Sequence, residues 1–276
     1  MSMEALSSPA DMKKLPVLLL LVCALPLAAQ TPAGATGNNS EKARAALNAM
    51  VQALGGERWL TVRVSYVEGS IAAFYESKPT GVNVRYWQWT TPDEERVDLS
   101  EKTHDPQNWV QIYTGRQCWE ITYQGKKAME KDVCDSAIRR QQHSIETAVR
   151  VWMKNPNTLL MYDGQSLSER HLAVQVTLHD EGNDSITIQM DAETHLPLSC
   201  SWTWRDPVYH DKDTDVEEYA EYHLVDGVQT PFTITRLHNG ELVQQRFILK
   251  AAYDVPLPPD GFNIDAIAAK VVKLHK

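Results

Sequence analysis

Hydrophobic positions follow two rhythms along this chain. Ala43, Ala46, Leu47, Met50, Val51 and Leu54 fall at i, i+3, i+4, i+7, i+8 and i+11, the apolar stripe of an amphipathic helix. Asn38 and Glu41 have capping-box spacing before it, and Gly55 with Gly56 supplies a left-handed stop after it. The period then drops to two, as in half-buried strands. Val62, Val64 and Tyr66 alternate, and the phase flips to Val67, Gly69, Ile71 and Ala73, which predicts a bulge near Gly69. Further alternating runs are Val82 to Tyr86 before Trp87 and Trp89, Trp119 to Tyr123, Leu172 to Leu178, and Ile186 to Met190. A last one runs Leu196, Leu198, Cys200, Trp202, Trp204. Hairpin signals stand at Glu181-Gly182-Asn183, Asp226-Gly227 and Asn239-Gly240.

Turns this short join antiparallel neighbours, because parallel pairing needs long crossovers. One helical stretch interrupts the strands, with Asp135 as cap, Ile138, Ile145, Val149 and Trp152 at helical spacing, and Asn155-Pro156 as the end. The expected fold is mainly β (α+β), a large curved antiparallel sheet with helices packed on its concave side.

The N-terminus carries an address. Lys13 and Lys14 precede an apolar run from Leu15 to Leu27, and Ala28 and Ala29 provide the small residues that signal peptidase requires. The run is short for a bilayer span, which takes about 20 apolar residues. Residues 1–29 are therefore expected to be an export signal with an upstream extension over 1–11, leaving a mature N-terminus at Gln30 and no transmembrane span. A short linker over 30–38 and a single domain over 39–276 complete the division. The expected location is periplasmic. Lipidation at Cys23 is the lesser alternative, since Val22 stands where a lipobox takes a small residue.

Lys and Arg number 27 against 36 Asp and Glu, a net charge of −9, which speaks against nucleic acid as a partner. Beyond the signal, the cysteines are Cys118, Cys134 and Cys200. An oxidising compartment favours one disulfide among them. A three-residue loop over 125–127, between strands 116–123 and 128–133, would set 118 opposite 134, within disulfide reach. Unpaired buried thiols are the alternative.

Several short motifs resemble the LolA-like superfamily of exported envelope proteins, which includes lipoprotein carriers and RseB-like regulators. They are Ala53, Leu54, Gly55 and Gly56 followed by Trp59, Leu60 and Val62; Asp191, Thr194 and Pro197; Asp226, Gly227, Val228 and Pro231; and Val255, Pro256, Leu257, Pro258 and Phe262. His195 departs from the pattern, where relatives place Gly. The resemblance implies an unclosed barrel whose hollow holds acyl chains.

Trp87 and Trp89 share one strand face, as do Trp202 and Trp204, so these four are the candidate ligand-binding residues. The same pattern serves a plain sheet core beneath a helix, its commoner use. No nucleophile elbow, zinc helix, phosphate loop or dinucleotide fingerprint occurs. The acidic stretch from His210 to Glu218 fails the EF-hand pattern, because Val216 and Tyr222 occupy the positions of its Gly and its bidentate Glu. It reads as a solvated loop, with no metal, cofactor or catalytic residue expected. A non-catalytic carrier of lipid or lipoprotein acyl chains is the leading expectation, and a sensor module contacting another envelope protein is the alternative.

Overall fold

Among the described residues (33–100, 109–168 and 171–274 of a computed structural model), the alternating segments become thirteen strands of one sheet. The first six are β1 (Ser65–Tyr75), β2 (Lys78–Thr90), β3 (Glu94–Ser100), β4 (Trp109–Thr114), β5 (Gln117–Thr122) and β6 (Gly125–Ala128). The other seven are β7 (Leu159–Ser168), β8 (His171–His179), β9 (Ser185–Asp191), β10 (Pro197–Arg205), β11 (Lys212–Val225), β12 (Val228–His238) and β13 (Glu241–Tyr253). The helices are α1 (Ala33–Leu54), α2 (Glu57–Leu60), α3 (Lys131–Gln142), α4 (Ile145–Arg150) and α5 (Ile264–Leu274). Contacts divide the chain into Met1–Ala33 and Gly34–Lys276, and all thirteen strands belong to the second unit. The expected export signal over 1–29 lies outside the described residues.

The strand order is β6-β5-β4-β3-β2-β1-β13-β12-β11-β10-β9-β8-β7, every neighbour is antiparallel, and the sheet does not close into a barrel. Two meanders thus meet at the central β1–β13 pair, and the chain must pass from one edge of the sheet to the other between β6 and β7. α3 and α4 make that passage over one face, here termed the inner face. Ser144 separates them, its Oγ capping α4 by accepting from Thr147 N at 3.2 Å. The single helix expected here is therefore two.

Two separate apolar clusters cover the inner face. Leu47, Met50 and Leu54 of α1 and Ala148 and Val149 of α4 pack on Leu160, Val176, Leu178, Ile186, Ile188 and Cys200 of β7–β10. Ala137 of α3 packs on Ile71, Tyr86, Val97, Leu99, Tyr113 and Cys118 of β1–β5. The outer face has its own helix, contrary to an expectation of helices on one side alone. Ile267 and Val271 of α5 bury Val110, Ile112 and Ile121 of β4 and β5. The spacing of Ile264, Ile267 and Val271 is itself a helical signal, though a short one.

The predicted bulge is present, with the β1–β13 register shifting between Glu68 and Gly69. A Cβ on Gly69 would collide with the Phe247 carbonyl, so the position takes no larger residue. The Asp226-Gly227 and Asn239-Gly240 hairpins also form, all four residues at positive φ.

The expected linker over 30–38 differs in the structure, since α1 already runs from Ala33. Asn38 and Asn39 therefore lie inside it, and Asn39 uses its side chain on β7. Its amide nitrogen donates to the Tyr162 carbonyl at 2.9 Å, and its amide oxygen accepts from Tyr162 N at 2.7 Å.

Cys118 and Cys134 form a disulfide, Cα to Cα 5.5 Å. The route differs from the register proposed for it. Thr122 pairs with Gly125 around a two-residue turn, β6 ends at Ala128, and Cys134 rides on α3. The bridge therefore ties the crossing helix to β5, not strand to strand.

Candidate ligand-binding site

Between the two inner-face clusters a cavity of about 510 Å³ opens. Its floor comes from β1–β3 and β11–β13, and its roof from α3 and α4. The volume lies in the usual range for ligand sites, about 300–1,000 Å³. Its lining is apolar at Trp59, Val62, Ile248 and Tyr253. It is polar at Glu95, Arg140, Glu217, Arg236 and Arg246.

The inward phase of the strands aims these charges at one another. Glu217 pairs with Arg236 across β11 and β12, and Ile234 with Arg246 across β12 and β13. Arg236 Nε donates to Glu217 Oε1 at 2.7 Å, and Arg140 Nε reaches down from α3 to 4.0 Å from the same oxygen. Arg246 donates to the Gln244 and Gln88 side-chain oxygens at 3.2 and 2.8 Å. Its guanidinium carbon lies 5.4 Å from the ring centre of Tyr86. Tyr86 has no exposed surface, and its hydroxyl has no hydrogen-bond partner among the described residues.

Burial, and then the like charge of Arg236, push the Arg140 guanidinium down to about 10. Arg246 is lowered by the same two causes. Both guanidiniums stay protonated at neutral pH. Burial raises Glu217, but the charges of Arg236 and Arg140 outweigh it and hold the carboxyl below its ordinary range.

The four tryptophans do not meet at this cavity. Tyr86 and Gln88 line it, so Trp87 and Trp89, which alternate with them, face the outer side. There Trp89 lies 5.2 Å from Tyr66 and 5.5 Å from the Arg96 guanidinium. Arg96 itself is buried and donates twice to Asp98, at 2.7 and 2.9 Å, and once each to Asp260 and the Gly261 carbonyl. Trp202 is inward but buried, stacked on His143 beneath the α3–α4 junction. His143 is held by Asp184 at 2.9 Å, and Cys200 Sγ donates to the His143 carbonyl at 3.1 Å. Trp204 lines a second, polar recess of about 660 Å³, where the Arg139 guanidinium lies 3.6 Å from its ring centre.

The acidic stretch is a strand, not a solvated loop. Asp213 accepts from Asn239, Asp215 from Trp204 and His238, and Glu217 from Arg236, so its alternating carboxylates serve cross-strand pairs. The arginine cluster itself was missed. Its signal was a lone charge on the apolar phase of a strand: Arg236 two positions after Ile234, and Arg246 two before Ile248.

The family-like motifs prove to be corners. Gly55 abuts the Gly227 carbonyl, where a Cβ would come within 2.5 Å of that oxygen. Arg58 donates to the Asp226 carbonyl and pairs with Asp254, so three of the motifs converge at one joint. Asp191 Oδ1 accepts from the backbone nitrogens of Glu193 and Thr194, which places His195 at a φ of 59°.

No protein-family model and no curated protein matches the sequence. Solved structures do share the architecture. A DUF1329 family protein from Desulfovibrio piger superposes with a TM-score of 0.57 at 12% identity, over 82% of this chain and 98% of that one. A putative outer membrane lipoprotein-sorting protein domain from Vibrio parahaemolyticus gives 0.52 at 8% identity, over 84% and 99%. A LolA superfamily protein from Nitrosomonas europaea gives 0.49 at 11% identity, over 78% and 94%. The likeness to the first two is one of fold.

Proposed function

We propose that this chain is an exported, non-catalytic carrier that holds the acyl chain of a lipid or lipoprotein in the inner-face cavity. The observation that carries the reading is the gap between the two apolar clusters. An ordinary domain closes such a gap, because close packing is the rule in protein interiors. Here it stays open beneath α3 and α4, with Trp59, Val62 and Ile248 on its wall. The fold shared with a lipoprotein-sorting domain supports the same reading by analogy. The Cys118–Cys134 bridge and the signal-like features over 1–29 support export to the periplasm, where disulfides persist.

Native mass spectrometry of the protein purified from envelope fractions tests this reading. An adduct of lipid mass, removed by organic extraction and restored by adding phospholipid or fatty acid, is expected. Absence of any adduct, with no uptake of an added acyl probe, would refute the carrier.

A second reading has its own observation. Val243, Phe247 and Leu249 alternate with the cavity-lining residues of β13 and are exposed on the outer face. Such a patch suits a protein-interaction module of the envelope. Loss of binding to an envelope partner in a Phe247→Ser variant that still takes up lipid would favour it.

A further inference from the structure

We infer that the cavity selects an amphiphile with an anionic head, its carboxylate or phosphate oxygens held between Arg140 of the crossing helix and Arg236 and Arg246 of the sheet. The inference rests on the carrier reading and adds the chemistry of the ligand.

Charge accounting inside the cavity points to an anion. Three guanidiniums meet two nearby carboxylates, Glu95 and Glu217. Glu217 is spent on Arg236 at 2.7 Å and lies 4.0 Å from Arg140. Among the described residues, no carboxylate lies within 4.0 Å of Arg246, whose side-chain bonds go to the neutral amides of Gln88 and Gln244. Arg63, Asp93, Glu94, Glu146 and Arg150 also line the cavity; Arg150 donates to the Val62 and Trp59 carbonyls and lies near enough to Glu146 to oppose the rise that burial gives its pKa, and Glu94 accepts from Thr114.

Arg246 is thus left without a carboxylate partner among the described residues of the cavity. Holding several cations together away from water is unfavourable unless an anion joins them. Planar guanidiniums present paired donors that match the oxygens of carboxylate and phosphate.

The Tyr86 hydroxyl is the second, independent sign. It belongs to a side chain with no exposed surface that borders the cavity beside Arg246, and among the described residues nothing accepts from or donates to it. A buried hydroxyl without a partner is unfavourable, and a bound oxyanion accepting its hydrogen bond relieves that cost. Trp59, Val62, Ile248 and Tyr253 give the same space its apolar lining, against which the acyl chain follows the head. Arg140 closes the arrangement from above, so the head bridges roof and floor.

Isothermal titration of the delipidated protein at pH 7 tests this with four probes: dodecanoate, dodecyl phosphate, dodecanol and inorganic phosphate. The two anionic amphiphiles should bind about tenfold or more tightly than dodecanol, the difference a charge-assisted hydrogen bond provides. In Arg246→Gln and Arg140→Gln, checked for folding by circular dichroism, that preference should collapse toward unity with dodecanol affinity unchanged. Tyr86→Phe should lower anion affinity several-fold. Equal binding of dodecanoate and dodecanol by the parent protein would overturn the anionic head while leaving the carrier intact. Tight binding of inorganic phosphate with no gain from a chain would overturn both, and so would no binding of any probe.

Discussion

Replacing Arg96 with Met isolates the energetics of the outer face. Arg96 and Asp98 have side chains only 1% and 2% exposed, and Asp260 is 9% exposed. The substitution removes the four hydrogen bonds of Arg96 and leaves the Asp98 carboxylate in the interior without the two donors it receives from Arg96. Breaking a buried pair from one side costs about 3–5 kcal/mol, because the remaining charge is desolvated and uncompensated. For a domain of this size that is a fall of about 6–20 °C in Tm. Urea unfolding followed by circular dichroism measures it directly. The double variant Arg96→Met with Asp98→Leu removes both charges, and Asp260 keeps Lys270 at 3.5 Å. It should regain most of the loss. A single substitution costing under about 1 kcal/mol, or a double variant no more stable than the single, would refute the argument that the orphaned carboxylate is what costs.

The Cys118–Cys134 bridge spans 16 positions, so replacing both with Ala should cost about 3 kcal/mol in urea unfolding, chiefly by freeing the unfolded chain; an unchanged midpoint would contradict it. Glu217, held below its ordinary range by Arg236 and Arg140, contributes stability that is present above about pH 4.3, the ordinary Glu value, and lost as pH falls through its lowered folded value. Unfolding free energy should therefore fall more steeply below that pH in the parent than in Glu217→Gln. His195 occupies the left-handed region at a φ of 59°, and His195→Gly should gain about 0.5–1 kcal/mol as strain relief exceeds the entropy cost of glycine; a lower melting temperature would argue against strain there.

Local patterns survived the passage from sequence to structure where a backbone constraint spoke for itself. The phase flip at Gly69 and the Asn239-Gly240 hairpin needed no knowledge of distant partners. Faces were harder. Period two shows that Trp87 and Trp89 share a side but is silent on which side carries the crossing helices, and the structure puts both outward beside Arg96. Register was harder still. The disulfide was legible because Cys118 and Cys134 are close in sequence, yet the pairing invoked for it placed Cys134 on a strand when it belongs to α3. The arginine cluster stayed hidden because Arg140, Arg236 and Arg246 come from three elements, and only the fold brings them to one cavity.

An open sheet of this length has two ends, and each invites a foreign strand. At β7 the Asn39 side chain donates to the backbone oxygen of Tyr162 and accepts from its nitrogen, as a neighbouring strand would. Just beyond, the β7–β8 register slips between Tyr162 and Gly164. At β6 the end strand is only four residues long, and its Lys126 and Lys127 are drawn into ion pairs with Asp265 and Glu130. Two molecules colliding edge to edge therefore find one end partly occupied and the other too short for an extended ladder, and both features work against growth into a continuous intermolecular ribbon.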